Sequence, residues 1–146
     1  MLFIFALAAY ADERGTADEA RKMVKKAVDF YVKNGRAKAL AEFNKATSQF
    51  VYKDLYIWTE NDGITTSHGK TPAVVGKNFI DMKDASGKLF VREIIKLGKE
   101  KGSGWVDYTW SDLVTKRVSA KCAYIEKVPI PNDSTIIVCG FYVKGQ

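Results

Sequence analysis

Few residues in this chain of 146 residues are candidates for acid–base or metal chemistry. His68 is the only histidine, and Cys122 and Cys139 are the only cysteines. One histidine excludes a histidine-rich metal site, and two widely separated cysteines do not form a zinc framework. A Ser-His-Asp arrangement would have to use His68, but no G-x-S-x-G elbow accompanies it. The sequence also lacks a glycine-rich phosphate loop between a strand and a helix, so we predict no metal, no cofactor and no catalytic residues.

Aromatic residues with polar groups are concentrated in segments that have the character of β-strands. Tyrosine and tryptophan combine apolar surface with an oriented hydrogen-bond donor, a combination typical of small-ligand pockets. The alternative is that they pack in the core or against neighbouring strands. We expect at least some of the following to line a cavity: Tyr52, Tyr56, Trp58, Trp105, Tyr108, Trp110, Tyr124, Phe141 and Tyr142.

The net charge of +6 gives the surface a field that favours anions. A small carboxylate, a nucleic acid and an anionic membrane would all meet that condition. The lysines are scattered along the chain, and no block of about five like charges occurs, which argues against nucleic acid. With 47% hydrophobic and 27% charged residues, the composition is that of one globular domain. We therefore predict a small organic anion as the ligand and no nucleic-acid partner.

Helix signals mark three segments of the chain. Thr16 and Glu19 form a capping-box pattern, in which the threonine accepts from the amide three residues on while the glutamate reaches back. This pattern predicts a long helix that begins there and ends at Asn34-Gly35, where glycine permits a left-handed stop. A shorter helix is predicted over about residues 36–45, and a third over 89–101, where two glycines follow it.

β-Branched and aromatic residues mark the strands. The turn signal Asn61-Asp62-Gly63 joins a strand over 50–58 to one over 64–68 as a hairpin. Residues 72–85 have an irregular or short-helical character. After the third helix, the pattern predicts a three-stranded meander over 104–110, 117–128 and 134–143. The chain is therefore predicted to be one α+β domain with an antiparallel sheet of about five strands.

The amino-terminal segment, residues 1–11, is almost entirely apolar and ends in Ala9-Tyr10-Ala11. This pattern is typical of the apolar region and cleavage site of a secretory signal whose basic start is missing. We predict a shortened signal-peptide-like segment over 1–11 and a domain over 12–146, exported to a periplasmic or otherwise extracytoplasmic compartment. The alternative is an apolar strand or helix that packs on the domain. No other apolar run approaches the ~18 residues that span a bilayer.

Cys122 and Cys139 flank a predicted turn at 129–132. If Val128 and Asp133 close that turn as a pair, antiparallel register keeps the sum of paired positions at 261, which is also the sum of the cysteine positions. The two residues would lie directly across from each other, within reach of a bridge. Because an exported chain matures in an oxidising compartment, we predict a disulfide between them. The alternative is two buried thiols that pack as small apolar side chains.

Several short motifs give the chain a resemblance to a known family. They are D-L-Y-I-W at 54–58, H-G at 68–69, V-G-K-N-F-I-D-M-K-D-A-S-G-K at 75–88, G-S-G-W-V-D-Y-T-W at 102–110, K-C-A-Y-I-E-K-V at 121–128 and C-G-F-Y at 139–142. In this order and spacing, the chain resembles the single Cache domains of the second type. These are PAS-like extracytoplasmic sensors of bacterial chemoreceptors and kinases, which also occur as freestanding exported proteins. Residues 111–113 depart from the family, in which an Asn-Pro turn is expected.

The resemblance implies a long amino-terminal helix behind a curved sheet, with a short organic acid held on the opposite face. Carried onto this sequence, it implies that the ligand-binding residues are His68, Trp105, Tyr108, Lys121 and Tyr124, followed by Tyr56 and Trp58. Lysine and histidine can hold a carboxylate by charge-assisted hydrogen bonds, while aromatic side chains close over its carbon end. The spacing of three between Trp105 and Tyr108, and between Lys121 and Tyr124, would split each pair between faces in a regular strand, so a bulge would be needed.

The leading hypothesis is an exported, non-catalytic domain that binds a small organic anion and is read by a membrane-bound signalling partner. One alternative is a sensory module of a chemoreceptor or histidine kinase. Another is a small α+β enzyme, which would require His68 beside a carboxylate in a closed pocket.

Overall fold

The long amino-terminal helix, α1, spans Ala17–Asn34 in a computed structural model that describes residues 13–144. The Thr16 hydroxyl accepts a hydrogen bond from the Glu19 amide at 3.2 Å, and Gly35 ends the helix with a φ of 83°. Both ends therefore lie where the capping signals predict them. Helix α2 follows at Arg36–Phe43 and ends slightly before its predicted position. The signal-like segment predicted over 1–11 lies outside the described residues.

The chain after α2 forms short strands separated by tight turns. The predicted strand over 50–58 is divided into three strands: β1 (Val51–Tyr52), β2 (Leu55–Tyr56) and β3 (Trp58–Asn61). Strands β1 and β2 form a small hairpin of their own, because Lys53 reverses the chain at a φ of 54°. The predicted turn at Gly63 connects β3 to β4 (Ile64–His68). A short 3₁₀ turn at Pro72–Val74 is the regular structure that follows before the third helix.

The main sheet is antiparallel, with five strands in the order β4-β3-β7-β6-β5. Helix α3 leads into the predicted meander, and the remaining elements are α3 (Phe90–Lys101), β5 (Ser103–Asp112), β6 (Arg117–Lys127) and β7 (Thr135–Tyr142). Strand β7 pairs with both β6 and β3, so the last strand lies at the centre of the sheet. The predicted α+β fold, with a long amino-terminal helix and a five-stranded antiparallel sheet, is confirmed.

Each face of the sheet has its own apolar core. Helix α1 covers one face, where Ala27 and Val24 pack with Tyr124 and Cys139 of the strands. Helix α3 and the segment from β4 to α3 cover the other face. Because side chains alternate along a strand, neighbours such as Val138 and Cys139 belong to different cores. No helix within residues 13–144 combines the length and apolar character needed to cross a bilayer.

The register of β6 and β7 contradicts the predicted disulfide. Cys122 pairs with Phe141, and Tyr124 pairs with Cys139, so the paired positions add to 263 and not to 261. The reason is the turn: the Val128 amide bonds the carbonyl of residue 135, at 3.0 Å, where position 133 was expected. Because of this shift, Cys139 lies two residues along β7 from the position opposite Cys122. Both cysteines are free thiols in the described part of the chain.

Candidate functional site

A cavity of about 390 Å³ lies between the α3 face of the sheet and the segment that connects β4 to α3. Its volume is within the range of pockets that enclose small organic ligands. Its walls are mostly apolar, and the aromatic and methionine side chains among them, His68 apart, are Tyr56, Trp58, Phe79, Met82, Phe90, Tyr108, Trp110 and Tyr142. The polar groups lie at two places, around His68 and around the carboxyl end of β5.

Helix α3 and strand β5 hold the aromatic wall in place. Phe90, the first residue of α3, stacks on Tyr108 with ring centroids 4.6 Å apart and an interplanar angle of 7°. Trp110 meets Phe90 edge to face at 5.6 Å. Tyr108 and Trp110 are two residues apart on β5, so both face the cavity. The three rings hold one another in place, so a molecule that entered the cavity would not have to order them.

Lys121 places a positive charge beneath the cavity. The residue is 3% exposed, and its Nζ lies 3.4 Å from the Tyr56 hydroxyl. Nζ also lies 5.0 Å from the ring centroid of Tyr56 and 4.8 Å from that of Tyr142. No carboxylate within residues 13–144 pairs with this ammonium, and burial lowers its pKa. A buried cation without a counter-ion gains stability from an anion that binds nearby.

Gly140 of β7 provides the space for this lysine. A Cβ at position 140 would lie 2.7 Å from the Cε of Lys121 and 3.1 Å from the Tyr108 hydroxyl, so a larger residue would displace both. Lys121 itself lies behind the tyrosines that line the main cavity, and with Tyr108 it borders a neighbouring open depression. Its charge therefore acts on the main cavity across the hydroxyls and rings in front of it.

His68, the last residue of β4, lines the cavity as a neutral ring. The amides of Thr71 and Lys70 donate to Nδ1 at 2.8 and 3.2 Å. A nitrogen that accepts these bonds is unprotonated, so the ring proton is on Nε2, which remains a donor. Burial, followed by the charges of Lys121 and Lys70, lowers the pKa of His68 to about 4. The ring also packs against Tyr56, with centroids 4.9 Å apart.

Arg14, just before α1, closes the cavity at the carboxyl end of β5. Its guanidinium bonds the two carboxylate oxygens of Asp112 at 2.6 and 3.1 Å, and it bonds Asp54 at 3.2 Å. Burial acts to raise the pKa of Asp112, but the bonds from Arg14 outweigh it and the pKa is lowered. The two carboxylates outnumber the guanidinium, so this cluster offers no net positive charge to an anion, in contrast to Lys121.

The structure brings five of the seven predicted ligand-binding residues together. Four of them line the cavity and the fifth lies directly behind it: His68, Tyr108, Tyr56, Trp58 and Lys121. The arrangement is that of a small-molecule pocket, with hydrogen-bond donors at one wall, a buried cation behind them and aromatic surface elsewhere.

Trp105 and Tyr124 lie on the opposite face of the sheet, which contradicts their assignment to the ligand site. They are cross-strand partners with ring centroids 5.0 Å apart, and Tyr124 packs beneath α1. Strands β5 and β6 pair without a bulge along their whole length. Residues three apart therefore alternate, so Tyr108 and Lys121 share the cavity face while Trp105 and Tyr124 share the α1 face.

Four residues of the site were not among the predicted ligand-binding residues: Arg14, Phe90, Trp110 and Tyr142. Trp110 and Tyr142 do belong to the aromatic set that was expected to supply some of the cavity lining. Trp110 carries a usable signal, since its spacing of two from Tyr108 predicts the same face. Tyr142 is the cross-strand partner of Lys121 on the neighbouring strand. Recognising this pair requires the register between β6 and β7. Arg14 has no local signal, because its partners are 40 and 98 residues away in the sequence.

Acid–base catalysis at His68 and metal binding would each need a particular arrangement of side chains. No carboxylate of residues 13–144 bonds the ring of His68, whose Nδ1 is held by backbone amides, so the orienting partner required by the enzyme alternative is missing there. In the same range, no group of three or more His, Cys, Asp and Glu side chains is placed to hold a metal ion.

The sequence profile of the family described as Single Cache domain 2 matches residues 8–145. The chain belongs to this family. The resemblance inferred from the motifs is thereby confirmed. A curated relative is the methyl-accepting chemotaxis protein CtpM of Pseudomonas aeruginosa, which is 36% identical over 77 residues. That match covers 52% of this chain and 13% of CtpM, so the Cache domain spans only a small part of that receptor's length.

Solved structures with the same fold include further Cache and chemotaxis domains. A methyl-accepting chemotaxis protein from Vibrio parahaemolyticus has a TM-score of 0.71 and 19% identity, over 87% of this chain and 88% of that one. A periplasmic sensor domain of a chemotaxis protein has a TM-score of 0.66 and 19% identity, over 87% and 90%. A Cache chemosensory domain described as recognising carboxylic acids has a TM-score of 0.65 and 21% identity, over 87% and 88%.

Proposed function

We propose that this Cache domain is an extracytoplasmic sensor that binds a small organic acid in the cavity beside His68. The observation that carries the proposal is the buried ammonium of Lys121, which has no carboxylate partner in the described range. Binding of an anion above it would offset the cost of desolvating that charge. The structural neighbour described as recognising carboxylic acids supports the same ligand class.

Donors for a carboxylate are available at one wall of the cavity. The Nε2–H group of His68 and the hydroxyl of Tyr56 lie on rings 4.9 Å apart, and the Lys121 ammonium is behind Tyr56. Hydrogen bonds to a charged acceptor are stronger than neutral ones, so the carboxylate is expected at this wall. The carbon skeleton would then face the rings of Phe90 and Trp110, which present apolar surface.

Calorimetric titration with a panel of short mono- and dicarboxylic acids tests the proposal. Each acid is paired with its uncharged primary amide, which keeps the shape and removes the charge. We expect acids to bind and amides not to bind. Lys121→Met should weaken the best acid by about ten- to a hundredfold, because a buried charge a few ångströms from an anion contributes on the order of 2 kcal/mol at an effective dielectric constant of about 20.

Lys96→Met is the matched control, because Lys96 is exposed on α3, away from the cavity lining. It should bind the acid like the parent, and both variants should melt cooperatively. Equal affinity of Lys121→Met and the parent, or equal binding of acid and amide, would show that the buried cation does not select the ligand.

We also propose that the domain acts as the sensory module of a chemotaxis receptor and not as a freestanding binding protein. The support is CtpM, in which a homologous segment is 13% of a methyl-accepting chemotaxis protein. Immunoblotting of fractionated cells with an antibody against the domain tests this. We expect a membrane-associated polypeptide much larger than 16.3 kDa. A band of domain size in the soluble extracytoplasmic fraction would refute it.

A further inference from the structure

We infer that the tip of the β5–β6 hairpin is a contact surface for an anionic lipid bilayer. The tip is defined by three apolar residues and two basic ones: Leu113, Val114, Val118, Lys116 and Arg117. The three apolar residues are 57%, 51% and 56% exposed, so one turn presents an apolar cluster to solvent. Both basic residues are also exposed. An apolar cluster flanked by basic side chains is the composition of surfaces that enter the membrane interface.

The tip has a defined conformation. The Asp112 carboxylate accepts a hydrogen bond from the Val114 amide at 2.9 Å, and the Lys116 amide bonds the Asp112 carbonyl at 2.8 Å. Lys116 takes a left-handed φ of 58°, which closes the turn. The backbone of the tip is therefore set by a hydrogen-bonded turn, and docking does not have to order it first.

Both ends of the described chain lie at this end of the domain. Arg14 bonds Asp112 at 2.6 Å, and the Tyr142 hydroxyl bonds the Ser111 carbonyl at 2.6 Å. Leu7, the nearest large aliphatic residue of the apolar segment 1–11, precedes Arg14 by seven positions, a reach of at most about 25 Å. An apolar stretch of sequence and the apolar tip are thus attached to the same end of the domain.

The charges of Lys116 and Arg117 discriminate among three possible partners of the tip: segment 1–11, a second copy of the domain and an anionic lipid bilayer. Segment 1–11 contains no acidic residue, so packing of that segment on the tip would leave Lys116 and Arg117 without counter-ions. A symmetric contact between two copies would bring like charges together. Anionic lipid headgroups satisfy the two cations, while the acyl-chain boundary accepts the apolar side chains. Leu113 and Val114 also line the cavity, whereas Lys116, Arg117 and Val118 do not, so the two basic residues test the tip without altering the ligand site.

Co-sedimentation of the full chain with vesicles tests this surface. The vesicles contain one part phosphatidylglycerol to three parts phosphatidylcholine, and pure phosphatidylcholine is the uncharged comparison. We expect tighter binding to the anionic vesicles. Lys116→Gln combined with Arg117→Gln should reduce the partition coefficient by about 25-fold, at about fivefold for each basic residue. Leu113→Ser combined with Val114→Ser should reduce binding to a similar degree.

Val32→Ser and Lys96→Gln are the matched controls, since Val32 is 51% exposed on α1 and Lys96 is exposed on α3. Both should bind vesicles like the parent, and all variants should keep the parental melting temperature within a few degrees. Parental binding by the two tip variants would overturn the inference and assign membrane affinity to residues 1–11. A loss of self-association in sedimentation velocity, without a change in vesicle binding, would overturn it in favour of a protein contact.

Discussion

Glu60 is a buried carboxyl group whose titration should govern how stability depends on pH. The residue is 1% exposed on β3. Its Oε2 accepts a hydrogen bond from the Gly63 amide at 2.7 Å, while Oε1 has no partner among the described residues. Burial raises its pKa to about 7, the Gly63 bond and Lys99 oppose the rise, and Asp62 adds to it. The folded domain therefore holds this proton far more tightly than the unfolded chain does.

The magnitude follows from the two pKa values. A rise from 4.5 to about 7 corresponds to about 3 kcal/mol at about 1.4 kcal/mol per pKa unit. Between these values, the folded state binds more protons than the unfolded state, so the free energy of unfolding falls as pH rises. The favourable contribution is complete below about pH 4.5 and is lost by about pH 7. Glu60→Gln keeps an acceptor for the Gly63 amide and removes the charge.

Urea denaturation of the parent and Glu60→Gln, followed by tryptophan fluorescence at several pH values from about 5 to about 8, measures this effect. We expect the variant to be more stable by about 3 kcal/mol at the alkaline end and close to the parent at the acidic end. Glu100→Gln, an exposed position on α3, is the control and should track the parent throughout. Parallel curves for the parent and Glu60→Gln would refute the assignment of a raised pKa to this carboxyl.

Three further outcomes are expected. Imidazole NMR signals of His68, the single histidine, should titrate with a midpoint at about pH 4 and should show the Nε2–H tautomer above that midpoint; a midpoint near 6.5 would contradict the burial of the ring. Gly140→Ala should lower the free energy of unfolding by about 1 to 3 kcal/mol through overpacking against Lys121, and it should weaken organic-acid binding. Unchanged stability and affinity would show that the lysine side chain is free to move. Cys122 and Cys139 should both be alkylated in denaturant without prior reduction. In the native state the reaction should be slow, because burial raises the pKa of each thiol to about 12. A protein mass that shows no added label before reduction would indicate a disulfide.

Most of the fold could be predicted because its signals are local. The capping box at Thr16, the glycine at position 35 and the turn at Gly63 each act within a few residues, and all three lie where they were expected. The strand predicted over 50–58 was wrong in one respect, because nothing in its apolar character shows that Lys53 adopts a left-handed φ. Periodicity reports which residues are apolar, whereas a reversal within a strand depends on a single backbone conformation.

Local sequence signals did not predict the register between β6 and β7. The turn after β6 was expected to close at position 133, but Asp133 accepts the Thr135 amide at 3.0 Å and the Tyr31 hydroxyl at 2.6 Å. The carboxylate is therefore used by helix α1, and the strand pairing begins two residues later. A side chain 102 residues away thus bears on where β7 starts. In the observed register Cys139 lies opposite Tyr124 and Tyr142 opposite Lys121, and these pairs bear on both the disulfide and the composition of the site.

The position of the cavity follows from the lengths of the elements that cover the sheet. Helix α1 has 18 residues and is about 27 Å long, whereas α3 has 12 residues and is about 18 Å long. Strand β6, with 11 residues, is about 37 Å long, so α3 leaves much of its face uncovered. The irregular segment between β4 and α3 covers the remainder, and the cavity lies between that segment and the sheet. Tyr124 packs under α1 with Trp105 beside it at the edge of that face, whereas Tyr108 and Lys121 border cavities on the face of the shorter helix.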